Sequence, residues 1–173
     1  MIIISGYPGV GKSTLAKETH EEKFGRKITT IELESSNYDK TNKEWYKEYV
    51  KDILSIKDVD IIFISSHQSV RDELNKQRVS FYFVLPYAKN KHEWTEMLAK
   101  RVQSSIGNAD EREKNIRALM SHILSYDAIL DELKETHKPL AKSIRPYENV
   151  KFITHPSHLK YLIYRLIDNN TSI

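Results

Sequence analysis

The chain has 173 residues, enough for one domain with a full core. Its 27 Lys and Arg against 24 Asp and Glu leave a net charge of +3, a mixed surface that argues against a dedicated duplex nucleic-acid binder, while 39% hydrophobic residues with 10 Tyr and 5 Phe argue against disorder. The absence of cysteine excludes disulfides, thiolate metal sites and a cysteine nucleophile and points to a reducing cytosol; no apolar run approaches a membrane span or a signal-peptide core.

In chain order, Ile2 to Ser5 reads as a buried strand that enters a glycine turn, followed by a helix from about Lys12 to Phe24 that Gly25 can end. A second strand is expected over about Ile28 to Leu33. Thr41-x-x-Glu44 has the pattern of a capping box, and Trp45, Tyr46, Tyr49, Val50, Ile53 and Leu54 keep one apolar helical face. Ile61 to Ile64 is a continuous apolar run of the kind found in strands covered on both faces, with a short helix over Ser69 to Gln77 and a further strand over Phe81 to Leu85. Asn90-x-x-Glu93 caps a helix bearing Trp94, Met97, Leu98 and Val102, and Ser104 to Asn108 breaks the period. Asn108-x-x-Glu111 opens the longest helix, whose stripe of Ile116, Leu119, Met120, Ile123, Leu130 and Leu133 is expected inside until Pro139 stops it. Val150 to Thr154 closes the set of strands, and Ser157 is placed to cap a last helix with Leu159, Leu162, Ile163, Leu166 and Ile167 inward. Alternating strands and helices predict an α/β fold: one domain over residues 1–173 with three layers, α/β/α, around a parallel sheet of about five strands. Ligands of such sheets gather at the carboxyl ends of the strands.

Gly6-Tyr7-Pro8-Gly9-Val10-Gly11-Lys12-Ser13 lies at one of these ends and matches G-x-x-x-x-G-K-[ST], with Thr14 following. Each position has a physical reason. Glycines permit positive φ and close backbone approach, so successive N–H groups can face phosphate oxygens. Lys12 supplies a cation for the β and γ phosphates of ATP, and the Ser13 hydroxyl a ligand for Mg2+.

This opening resembles that of the small P-loop kinases, the group of adenylate kinase and other nucleoside monophosphate kinases, shikimate kinase and gluconate kinase. Glu34-Ser35-Ser36, Trp45-Tyr46, Ser65-Ser66-His67 with Val70-Arg71, and Trp94 before Arg101 also resemble small nucleotide kinases of phages and of low-GC Gram-positive bacteria. The order of elements is similar over nearly the whole chain; the motifs cover only these short stretches. The resemblance implies a P-loop kinase with a short helical lid around residues 101–117, transferring a phosphoryl group from ATP with Mg2+ to a small acceptor, a (deoxy)nucleoside monophosphate in the first place. A hydroxyl acceptor (a sugar, a small metabolite or a nucleic-acid 5′ end) and a nucleotide-binding sensor without transfer are the alternatives.

Glu32 and Glu34, at i and i+2, share a face at the end of the second strand, where unpaired carboxylates are costly unless the strand end emerges into solvent. By resemblance Glu32 touches water on the metal and Glu34 orients or deprotonates the acceptor beside Ser35 and Ser36. Ser66, His67 and Arg71 follow the third strand, Arg71 either as a clamp on an acceptor phosphate or as a solvated residue behind a helix cap. That strand ends in serines where many P-loop proteins carry a metal-holding aspartate, and Asp60 stands at its other end. Arg101 by resemblance neutralises the transferring phosphoryl group, with Arg112 and Arg117 behind it, or else its stem covers the core while its head stays in water. His155 and Pro156 by resemblance line the adenine of ATP, or else make a plain turn. The other histidines, His20, His92, His122, His137 and His158, lack metal-ligand spacing and read as surface residues. Trp45 and Tyr46 read as core, with stacking on a base as the alternative.

Overall fold

The computed structural model describes residues 1–18, 25–136 and 146–171. Its strands are β1 (Ile2–Gly6), β2 (Thr30–Glu32), β3 (Ile61–Ile64), β4 (Phe81–Pro86) and β5 (Glu148–Ile153). The described residues form six α-helices: α1 (Lys12–Leu15), α2 (Trp45–Ser55), α3 (Gln68–Lys76), α4 (Lys91–Ser104), α5 (Ala109–Thr136) and α6 (His158–Thr171). The fold is α/β, with one parallel sheet in the order β2-β3-β1-β4-β5. Ile2 pairs with Ile61 and Ser5 with Ile64, Gly6 pairs with Val84, and Glu32 pairs with Phe63. The continuous apolar runs sit in the middle of this sheet because both of their faces are covered: all four residues of β3, and Ile4, Phe83, Val84 and Leu85, are fully buried. The chain leaves β1 toward one edge and β4 toward the other, so the carboxyl ends of these neighbours flank a topological switch point.

The described chain divides into two compact units, residues 1–85 with 146–173, and residues 86–145. The first holds the sheet. Its α2 buries Trp45, Tyr49, Val50 and Ile53 as the periodicity requires, but Thr41 does not cap it. Asp39 accepts from the Thr41 N–H at 2.9 Å and hydroxyl at 2.7 Å, and Asn42 accepts from the Glu44 N–H at 2.9 Å, so two short polar turns replace the capping box. Ser157 is likewise engaged elsewhere, its hydroxyl 2.8 Å from His155 Nδ1.

The expected helix from Lys12 to Phe24 is four residues long where described. Its continuation tightens into turns, with Lys17 N bonding Thr14 O and Glu18 N bonding Leu15 O, while the Thr30 hydroxyl takes the Ala16 carbonyl at 3.2 Å, an acceptor that further helix would need. Residues 19–24 lie outside the described set, as do His20, His137 and Pro139.

The second unit is a hairpin of α4 and α5, and the expected lid region 101–117 lies within it. The break at Ser104 to Asn108 is present and held: Ser105 Oγ donates to Arg101 O at 2.9 Å, Asn115 donates to the same carbonyl, and Asn108 Oδ1 caps the Glu111 N–H at 3.1 Å. The inner face of α5 differs from expectation. Ile116, Met120 and Ile123 are exposed, Ile123 by 51%, whereas His122 and Tyr126 are fully buried. Polar bonds decide this rotation. His122 Nε2 lies 3.2 Å from Lys91 O and 3.1 Å from Thr95 Oγ1, and the Tyr126 hydroxyl donates to Pro86 O at 2.7 Å. His122 is therefore a buried residue rather than a surface one, and burial lowers its basicity.

Candidate functional site

The carboxyl ends of β1, β2, β3 and β5 gather most of the residues singled out above. Gly6 to Ser13 bends from β1 into α1, with Gly9 at φ 85° and Gly11 at φ 99°, values that only glycine adopts without strain. The Tyr7 N–H is used on Val84 O and that of Val10 on Tyr7 O, but the N–H groups of Gly9, Gly11 and Ser13 have no acceptor among the described residues. The Lys12 ammonium folds back over the same turn, donating to Gly6 O at 2.7 Å. There is no room beside Gly6 for a side chain, since a Cβ there would stand 2.6 Å from Lys12 Cδ. A Cβ on Gly11 would stand 3.5 Å from Pro156 O, so the turn after β5 lies directly against this one and brings Pro156, next to His155, to it. Tyr7 and Val10 are fully buried and anchor the turn, while Pro8, Gly9, Ser13 and Thr14 retain access to solvent.

At the ends of β2 and β3, the Tyr49 hydroxyl joins the two strands: it donates to Leu33 O at 2.6 Å and accepts from the Ser65 N–H at 3.1 Å. Burial, with Glu32 and Glu34 adding negative potential, pushes this phenol up to about 12, so it stays a proton donor at neutral pH. Glu34 accepts from the Ser36 hydroxyl at 3.1 Å. Glu32 is half-buried and has neither a hydrogen bond nor an ion pair among the described residues. Ser66, partly exposed, follows the end of β3.

His67 contacts residues that no periodicity marks. Its Nε2 lies 3.2 Å from Lys40 Nζ, its ring stands edge-on to Trp45 at 5.1 Å between centroids, and Lys40 lies over the same indole at 5.2 Å. Lys40 also donates to Ser35 Oγ at 3.4 Å. Desolvation of the imidazole, whose outer edge still meets water, and then the Lys40 ammonium bring His67 down to about 4. Trp45 is buried, which leaves its indole to packing rather than to stacking on a base.

One candidate does not join the group. Arg71 is neither a clamp nor solvated: it is fully buried, its Nη1 donates to Glu148 at 2.6 Å at the start of β5, and its guanidinium lies 4.1 Å from the Phe83 ring centroid. A lone guanidinium cannot be buried without such a partner, and the partner lies 77 residues away in sequence, beyond any local signal. Arg101 belongs to the second unit, where it is half-buried, has no carboxylate partner among the described residues, and is made less basic by that burial. Arg112 is exposed and Arg117 pairs with Glu113 at 3.1 Å. Asp60 stays at the amino end of β3, bound to Arg26 and the Thr29 N–H. No family model and no curated protein matches the chain. Among the described residues no helix is long and apolar enough to cross a membrane.

Proposed function

We propose that the chain is an ATP-dependent phosphotransferase of the P-loop kinase type, with Gly6–Ser13 as its phosphate-binding loop and a (deoxy)nucleoside monophosphate as acceptor. The observation that carries this reading is the turn itself: three N–H groups without acceptors among the described residues, in a glycine-shaped bend, beside a lysine ammonium held on the same loop. Such a bend is a positive concavity for phosphate oxygens, and Lys12 would exchange Gly6 O for the β and γ phosphates. His155 and Pro156 would border the nucleotide base through the turn that touches Gly11.

A divalent cation fits the residues present. Glu32 is a half-buried carboxylate with no cation of its own, and among the described residues no cluster of three acids or histidines would hold a metal without help from phosphate and water. Ser13 and Glu32 would hold it, and when bound it supplies charge neutralisation on the β and γ oxygens. Glu34, Ser35, Ser36, Ser66 and His67 would receive the acceptor. A phosphate acceptor needs no base: its anionic oxygen attacks the γ phosphorus, the bond to the bridging oxygen breaks, and ADP leaves. An alcohol acceptor would give its proton to Glu34. Arg101 enters this reading through the sequence resemblance alone.

The serines at the end of β3 favour a second reading, a sensor that binds ATP without transfer. Conversion of ATP to ADP with Mg2+ over a panel of nucleoside monophosphates, nucleosides, sugars and 5′-hydroxyl oligonucleotides separates the two. The kinase requires turnover stimulated by one acceptor class and reduced about a hundredfold or more in Lys12→Ala; tight ATP binding with no acceptor effect establishes the sensor instead.

A further inference from the structure

We propose that the outer face of α5 pairs with the same face of a second copy of this chain, the two helices running antiparallel about a two-fold axis; this stands apart from the phosphotransferase reading above. Within the hairpin, α5 turns His122, Tyr126 and Leu133 away from solvent. On its other side Ile116, Met120, Ile123 and Leu124 are 40% to 72% exposed, and no other helix leaves more than one large apolar side chain exposed among the described residues. Single exposed apolar residues are ordinary, but a run of them on one helical face marks a contact surface. Ile116, Met120, Ile123 and then Asp127 follow at steps of four, three and four, the spacing of a seam that meets another helix. The stripe cannot rotate inward, because the hydrogen bonds of His122 to Lys91 O and Thr95 Oγ1 and of Tyr126 to Pro86 O hold α5 as it is.

The charges at the two ends of the stripe name the occupant. Arg112 and Arg117 stand toward its amino end, Asp127 and Asp131 toward its carboxyl end, and all four are exposed. Arg112 has no carboxylate partner among the described residues. The pairs of the other three, Arg117 with Glu113, Asp127 with Lys91 and Asp131 with Lys134, lie in solvent, and such pairs are held weakly enough to be shared. A two-fold axis between residues 121 and 122 sets Met120 against Ile123 of the second copy, Arg112 against its Asp131 and Arg117 against its Asp127, each contact occurring twice. Arg117 then lies between its own Glu113 and the second copy's Asp127. A parallel copy would bring arginine to arginine and aspartate to aspartate, so the charges also fix the direction. Residues 112–131 of α5 extend over about 30 Å. One helix pair of that length covers less than the ~800 Å2 per partner of a standard interface, which makes the dimer a reversible one with a dissociation constant of about 10–100 µM.

The test follows the mass of the full chain by sedimentation velocity, without nucleotide, from about 5 to about 500 µM. Wild type is expected to rise reversibly from the monomer mass toward twice that value. Met120→Glu is expected to remain monomeric throughout and to melt within about 2 °C of wild type, because its side chain already meets water in the single chain. Arg117→Asp and Asp127→Arg each place like charges together in their own dimers and are expected to weaken association about tenfold or more. An equimolar mixture of these two variants is expected to recover it, since both unlike pairs are remade between the copies. A wild type that stays monomeric at about 500 µM overturns the proposal and leaves the face to a different partner. A dimer that Met120→Glu does not weaken lies elsewhere on the chain and overturns it as well. A mixture that recovers nothing overturns the antiparallel arrangement, and if Met120→Glu does not fold, the charge variants and their mixture decide alone.

Discussion

Gly11 is the residue on which the Gly6–Ser13 turn bends. Its φ of 99° lies where an L side chain is strained, although a Cβ there would stand in ordinary contact with Pro156, 3.5 Å from its carbonyl oxygen. Gly11→Ala should cost about 1–2 kcal/mol of stability from the backbone alone, read as a lower urea midpoint at unchanged slope, and it should weaken ATP binding further because the N–H groups on both sides are re-aimed. A variant as stable as wild type would show that the backbone there relaxes freely. Lys12 is held in a related way: its ammonium rests on Gly6 O, so the phosphate binding proposed above would exchange one acceptor for another instead of ordering a mobile side chain.

Among the elements, β5 depends on an ion pair more than on apolar burial. Half of its residues are exposed, only Ile153 is buried, and Glu148 at its start meets Arg71 of α3. Arg71→Met should destabilise the protein by about 3–5 kcal/mol by leaving a buried carboxylate uncompensated, and adding Glu148→Gln should recover part of that loss. Equilibrium denaturation of the two variants decides it; a harmless single substitution would mean that water reaches Glu148. The same pair shows where a sequence stops being readable. Strand cores, the α2 face and the glycine turn are local patterns, and all are found where Ile61 to Ile64, Trp45 to Ile53 and Gly6 to Ser13 place them. The fate of Arg71, the turn of α5 that buries His122 instead of Met120, and the Lys40–His67 contact each depend on a partner remote in sequence. Tyr49 carried a partial signal, since a tyrosine on a core stripe must find a partner for its hydroxyl, and that partner turned out to be the ends of two strands.

Across the whole molecule, each unit holds a histidine whose surroundings oppose its protonation, His67 in the first and His122 in the second. The unfolded chain therefore binds protons more readily than the fold from about pH 6.5 downward, and linkage gives the sign: stability present at neutral pH is lost as the pH falls toward about 4. Asp60, bound to Arg26 and held below the usual carboxylate range, extends the loss in the same direction at lower pH. Urea midpoints at about pH 7.5 and about pH 5 should differ less in His67→Gln than in wild type. An unchanged difference would assign the acid sensitivity to other groups.

The route of the chain also sets an order of manufacture. Residues 86–145 come off the ribosome between two adjacent strands of one sheet, so the Gly6–Ser13 turn and β1 to β4 are made before the residues that pair with β4 on its other side. Until Glu148 emerges, its ion pair with Arg71 is unmade and one side of β4 is an open ladder of backbone groups. A nascent chain halted near residue 145 would carry the whole Gly6–Ser13 turn and still lack both Pro156 beside it and the strand that pairs with β4.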